Sequence, residues 1–187
     1  MKEKLKEHIE KLMPLSEDEF SVILSHFSFE KYKKNDFLIQ KGERVKKCYF
    51  IVSGLLKLVY EDKDGKQHIV SFAMEDWWES DFSAYFSEVK AKLSLQCLEN
   101  TIVFSISLEN YQKLSIEFPK MQSFFLQKSN SGHIASQNRI LSFLTSNAKE
   151  RYEQLLKQQP LLFQRVPKSL LASYLGVSRE TLSRLSS

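Results

Sequence analysis

The segment that most constrains this chain is residues 168 to 185, KSLLASYLGVSRETLSRL. Apolar or small residues fall at Leu171, Ala172, Leu175, Val177, Leu182 and Leu185, the pattern that two short helices crossing over one shared core require. Ala172 is small enough for a close crossing, and Gly176 stands where the first helix needs a left-handed residue to end. Ser178 is placed to cap the second helix by accepting from an orphaned backbone N–H. Val177 and Leu182 bracket that cap at the spacing of a hydrophobic staple. The outward face then holds Arg179, Glu180, Ser183 and Arg184. These side chains suit the major groove of a duplex: Arg forks to guanine O6 and N7, Glu accepts from cytosine N4, and Ser leaves room for a thymine methyl. Lys168 and Ser169, at the start of the first helix, are placed to touch phosphate. The plainer reading is a helical hairpin with a solvated charged face; spacing, cap, staple and polar face together favour a DNA-reading helix-turn-helix.

At 187 residues the chain has room for one medium domain and one small one. Hydrophobic content of 42% with 14 Phe supports a core and argues against disorder. The net charge of +4 is compatible with nucleic acid but no evidence for it. A basic surface must therefore be local, and from Arg151 onward Arg151, Lys157, Arg165, Lys168, Arg179 and Arg184 face only Glu153 and Glu180. The two cysteines, Cys48 and Cys97, sit in strand-like runs and read as buried thiols, with no CxxC for a cluster or a zinc ribbon. The amphipathic start MKEKLKEHIEKL is not a signal peptide and no apolar run approaches membrane length, so the expectation is a soluble cytoplasmic protein with no membrane partner.

Residues 3 to 27 predict two short helices broken by Pro14, the second capped in the run SEDE from Ser16 to Glu19, with Leu5, Ile9, Leu12 and Met13 as one apolar stripe. From about Phe29 to Ile106 short β-branched and aromatic runs alternate with turn residues, which indicates a sandwich or roll. Asp64-Gly65 between two such runs predicts a hairpin with a type I′ turn. Residues 107 to 118 predict a helix with Leu108, Tyr111, Leu114 and Ile116 or Phe118 inward. Pro119 opens a longer helix, residues 119 to 145, about 40 Å at the usual rise. That exceeds what a small roll needs for cover, so the helix either pairs with a second copy, with Met121, Phe125, Gly132 and Ile140 as interface residues, or simply crosses its own domain. Residues 147 to 159 predict another helix, LLFQRVP a short extended link, and the domain boundary falls near residues 145 to 148.

This order of elements resembles the Crp/Fnr superfamily of transcription regulators over almost the whole chain. "IQKGERVKKCYFIVSGLLKLV" is similar to the family's Gly-Glu turn and Tyr-x-Ile-x-x-Gly strand pair, "EDKDGKQHIVSF" to its next hairpin, and "VSRETLSR" to its recognition helix. The resemblance implies an α+β chain: a double-stranded β-helix (jelly-roll) effector domain of the cyclic-nucleotide-binding type with flanking helices at 1–118, a dimerisation helix at 119–145, and a winged helix-turn-helix at 146–187. It further implies a homodimer on near-palindromic double-stranded DNA, with RNA polymerase as a further candidate partner. Arg179, Glu180 and Arg184 map onto base-reading positions, and Ser183 resembles the oxygen-sensing branch.

The chain departs from the family where ligands are chosen. Cyclic-nucleotide binders carry Gly-Glu and Arg-Ser/Thr-Ala around the phosphate; here the stretch is "WWESDFSAYFSEVKAKLSL", with Ser80-Asp81 and no Gly, and Ala91 at the Arg position. Lys90 and Lys92 offer point charges and not a fork. The expected effector is therefore unknown and other than cAMP. Trp77, Trp78, Phe82, Tyr85 and Phe86 either fill the space of a nucleotide or line an apolar effector pocket. No cofactor is expected, since neither a cysteine quartet nor a haem-type His pairing is present. The sequence also reaches Ser187 directly after the recognition helix, where family members continue for several residues.

Two other classes compete. A cupin-like metalloenzyme needs clustered His with a carboxylate, but His8, His26, His68 and His133 lie on unrelated elements, so neither metal nor enzyme activity is expected. A dimeric roll that serves as an interaction or sensor protein without DNA binding is the remaining alternative.

Overall fold

Pro14 cannot continue a helix, so the N-terminal segment folds as two, α1 (Lys2–Glu10) and α2 (Glu17–Ser25). Ser16 and Glu19 close a reciprocal capping box: the Ser16 hydroxyl accepts from the Glu19 amide at 3.1 Å, and the Glu19 carboxylate from the Ser16 amide at 2.9 Å. Leu5, Ile9, Phe20 and Ile23 are buried, whereas Leu12 lies past the end of α1 and is exposed. The computed structural model describes residues 1–185; Ser186 and Ser187 lie outside the described residues.

The strands are β1 (Ser28–Tyr32), β2 (Phe37–Ile39), β3 (Lys47–Ser53), β4 (Leu56–Glu61), β5 (Gln67–Ala73), β6 (Trp78–Glu79), β7 (Ser94–Cys97) and β8 (Thr101–Ser107), with a short helix α3 (Phe82–Ser87) between β6 and β7. They form two four-stranded antiparallel sheets, β1-β8-β3-β6 and β2-β7-β4-β5, the jelly-roll arrangement. Residues Cys48 to Val52 of β3 are buried without alternation, because helices cover the outer face that would otherwise be wet. Cys48 and Cys97 are buried free thiols, and burial pushes that of Cys48 up to about 12.

The β4–β5 hairpin departs from the type I′ expectation. Of Asp64 and Gly65 only Gly65 has a positive φ, 77°, whereas a type I′ turn needs two such residues. The loop is longer: Asp62 accepts from the Lys66 and Asp64 amides through its side chain, and from Gly65 through its carbonyl. A side chain two residues upstream thus sets the turn.

Ser107 caps α4 (Leu108–Glu117), where Leu114 is buried but Ile116 is 80% exposed. α5 (Pro119–Thr145) runs without interruption through Gly132, and nothing lies within 4 Å of where a Gly132 Cβ would stand. Asn147 and Glu150 form a second capping box at α6 (Ala148–Gln158). The expected extended link is instead a helix, α7 (Pro160–Arg165): Pro160 takes a first-turn position, where its missing N–H costs nothing, and Leu162 is fully buried. No strand among the described residues follows β8, so the expected wing is not formed there. The chain continues as α8 (Lys168–Leu175) and α9 (Arg179–Leu185).

Candidate nucleic-acid interface and effector region

The helix-turn-helix forms as its sequence dictates. α8 ends at Gly176 with φ 68°, and the Val177 amide donates back to the Ala172 carbonyl at 3.0 Å. The Ser178 hydroxyl accepts from the Thr181 amide at 3.1 Å and so caps α9. Leu171, Ala172, Leu175 and Leu182 are buried between the helices. Arg179, Glu180, Ser183 and Arg184 are all exposed along α9, and Lys168 and Ser169 are exposed at the start of α8. The Glu180 carboxyl is held below the usual carboxylate range by backbone N–H at the helix start, the Ser178 hydroxyl and the two arginines. That side chain presents an ionised acceptor.

Not every basic residue near this surface belongs to it. Arg151 turns inward, donating to the Leu175 carbonyl at 3.1 Å and the Ser146 carbonyl at 2.7 Å. Arg165 reaches the roll and pairs with Glu75 and Glu99, each at 2.7 Å. Arg139 of α5 stacks on the Tyr174 ring at 3.9 Å and donates to the carbonyls of Ile69, Val70 and Tyr174. The helix-turn-helix thus rests on its own roll, over a seam of Leu55, Val59, Ile69, Phe72 and Met74. In the sequence Arg151 and Arg165 are only local charge and nothing marks Arg139, because their carbonyl and carboxylate partners lie 5 to 90 residues away.

The region of the family's nucleotide cassette is filled by side chains. Asp81 is 3% exposed and its carboxylate accepts from the amides of Ala84, Lys92 and Leu93 at 3.2, 2.9 and 3.1 Å. A carboxylate of the chain itself thus occupies amide donors that an anion would need. Ala91 is buried in a backbone pairing, its amide on the Glu43 carbonyl and its carbonyl on the Gly42 amide, while Lys90 and Lys92 point to solvent. Glu79, two residues before Asp81, is buried as well, and desolvation pushes its carboxyl up to about 7.

The five aromatic residues considered for an effector pocket are differently placed. Tyr85 is fully buried and donates to the Ile106 carbonyl; Phe82 is exposed and stacks on Phe86. Trp78 packs against Phe27, Phe50, Phe124 and Phe125, and its indole N–H donates to His8 Nε2 at 3.2 Å. Trp77 is half-buried, packed against the core. Surface crevices of about 160 and 360 Å³ are lined by other residues. Calorimetry with cAMP is expected to show no binding at micromolar concentration, because Ala91 stands at the position of the family's phosphate-holding Arg and the Asp81 carboxylate takes the nearby amides; a micromolar Kd would contradict this.

Of the four residues expected at a dimer interface, two are corrected. Met121 and Phe125 are buried in the chain's own core, Phe125 stacking on Tyr111 at 4.2 Å, so neither can meet a second copy. Ile140 is 60% exposed and Gly132 is exposed. Among the described residues no group of three or more His, Cys, Asp or Glu could hold a metal ion, and no helix is long and apolar enough to cross a membrane.

Comparison with known proteins agrees with this geometry. Residues 29–117 match the cyclic nucleotide-binding domain family. The chain is 23% identical over 178 residues to the cAMP-activated global transcriptional regulator CRP of Pasteurella multocida, covering 87% of this chain and 82% of that one. A stretch of 59 residues is 32% identical to the CRP of Salmonella typhimurium but spans only 28% of that relative's length. Among solved structures, FixK2 from Bradyrhizobium japonicum superposes with a TM-score of 0.73 at 16% identity, over 86% of this chain and 82% of that one. A CooA variant from Carboxydothermus hydrogenoformans gives 0.71 at 17% identity, over 91% and 79%. Residues 29–117 thus match a cyclic nucleotide-binding domain, and over most of its length the chain is similar to CRP and shares the fold of FixK2 and CooA, with the same roll, long helix and C-terminal helices.

Proposed function

We propose that this protein is a sequence-specific DNA-binding transcriptional regulator that acts as a homodimer on near-palindromic operators and does not take cAMP as its effector. The observation that carries this reading is the exposed face of α9, where Arg179, Glu180, Ser183 and Arg184 stand clear of the seam that seats the domain on the roll. The relatives' names supply the regulatory context; the cassette filled by Asp81 argues against the cyclic nucleotide of CRP. A dimer places its two reading helices in successive major grooves, about one helical turn apart.

Salt-dependent binding tests this. The logarithm of the affinity for a palindromic duplex should fall linearly with the logarithm of salt concentration, and replacing Lys168 with Ala should flatten that slope by about one unit for every sequence alike. Binding that ignores salt, or none at all, would favour the interaction-only roll.

A further inference from the structure

The C-terminal unit is joined to α5 only through Ser146 and Asn147, yet the structure holds it to the roll by more than that tether. Arg165 is the last residue of α7 and is separated from α8 by only Val166 and Pro167. Its guanidinium makes four hydrogen bonds: Nη1 to Glu75 Oε2 at 2.7 Å, Nη2 to Glu75 Oε1 at 3.1 Å, Nη2 to Glu99 Oε2 at 2.7 Å, and Nε to Glu99 Oε1 at 3.1 Å. Glu75 follows β5 and also accepts from the Gly54 amide at 2.8 Å; Glu99 sits in the turn between β7 and β8. Both carboxylates are therefore anchored on the sheet that carries the apolar seam. One planar fork engaged on both edges fixes direction as well as distance, which a point charge would not do.

The apolar seam beneath is non-directional, since burial of Val59, Phe72 and Met74 against Leu162 and Leu171 resists separation far more than rotation. A second directional element lies at the other end of α8. There Arg139 binds the carbonyls of Ile69 and Val70 on one side and that of Tyr174 on the other.

We infer that Arg165, clasped between Glu75 and Glu99, is a positioning residue that sets the angle of the helix-turn-helix on the roll and with it the distance between the two half-sites the dimer reads. This rests on the DNA-reading proposal above. Arg165 touches no base; it acts through the orientation of α9. Loss of the clasp should leave base preference within each half-site intact and widen the tolerance for spacing between them.

The test uses the full chain and a set of duplexes with one half-site pair and spacers varied by single base pairs, with half-sites taken from wild-type selection. Wild type should prefer one spacing. Arg165→Gln should bind neighbouring spacings with roughly fivefold less discrimination and unchanged half-site sequence, and Arg165→Lys, which keeps the charge without the fork, should fall between. In parallel, spin labels at Lys63→Cys and Lys157→Cys, in chains diluted into unlabelled protein, report the separation of roll and C-terminal unit without DNA. Arg165→Gln should broaden that distance distribution. A spacing profile and a distance distribution both like wild type would overturn the inference, as would loss of half-site preference together with spacing. Absence of any wild-type binding would retire the DNA reading alone, and the label distances would then decide the positioning role by themselves.

Discussion

Replacing Ile140 with Asp is expected to convert a dimer into monomers. The buried residues of α5, Met121, Phe124 and Phe125, all lie near its start. Further along, Ile134, Ile140, Leu141 and Leu144 are 56%, 60%, 56% and 78% exposed, an apolar face that a lone chain would leave in water. Burying an aliphatic side chain contributes about 1.5–3 kcal/mol, and two-fold symmetry counts each loss twice, so dimerisation should weaken by roughly two to four orders of magnitude. Light scattering or sedimentation at micromolar protein would show it. Phe125→Asp serves as the contrast: it should unfold the roll, because Phe125 belongs to the core against Tyr111 and Trp78. Wild-type protein that is monomeric at that concentration would contradict the dimer outright.

Gly176→Val is expected to loosen the helix-turn-helix while leaving the roll folded. The residue sits at φ 68°, where a side chain costs about 1–2 kcal/mol and a β-branched one is least tolerated. A Cβ there would also come within 2.9 Å of the Phe143 ring. That ring contacts the Arg139 and Arg151 guanidinium groups at 4.8 and 5.0 Å and would have to leave them to make room. Hydrogen exchange should accelerate at the amides of α8 and α9 and stay slow in β3. Uniform protection like that of wild type would show that the turn tolerates the change.

Local rules made much of this chain legible before any coordinates. Ser16, Asn147, Ser178 and Gly176 end or begin helices for reasons confined to a few neighbours, and the strand-like runs became strands. The misses share a cause in longer-range or competing interactions. Asp62, not the Asp64-Gly65 pair, decides the hairpin turn. LLFQR folds as a helix because Leu162 fits under the roll seam, which a local reading of an apolar run flanked by prolines could not see. Met121 and Phe125 looked like seam residues for a partner, but their helix turns them into their own roll while Ile140 stays out. Arg165 was charge in the sequence and became an interdomain clasp only when Glu75 and Glu99 arrived from the roll. At the site, the exposed set on α9 followed from helical spacing alone, whereas the filled cassette needed Asp81 seen against the amides of Lys92 and Leu93.

The central claim is that α9 reads bases, and selection from a random duplex pool with wild type and Arg184→Ala tests it most directly. Wild type should enrich a near-palindrome whose half-sites carry guanines for Arg179 and Arg184 and a cytosine for Glu180. Loss of one Arg–guanine fork costs about 1–3 kcal/mol, so the variant should relax its preference at one position per half-site by roughly five- to 150-fold and keep the others. Enrichment of an unchanged motif by Arg184→Ala, or no enrichment by the wild type, would contradict it.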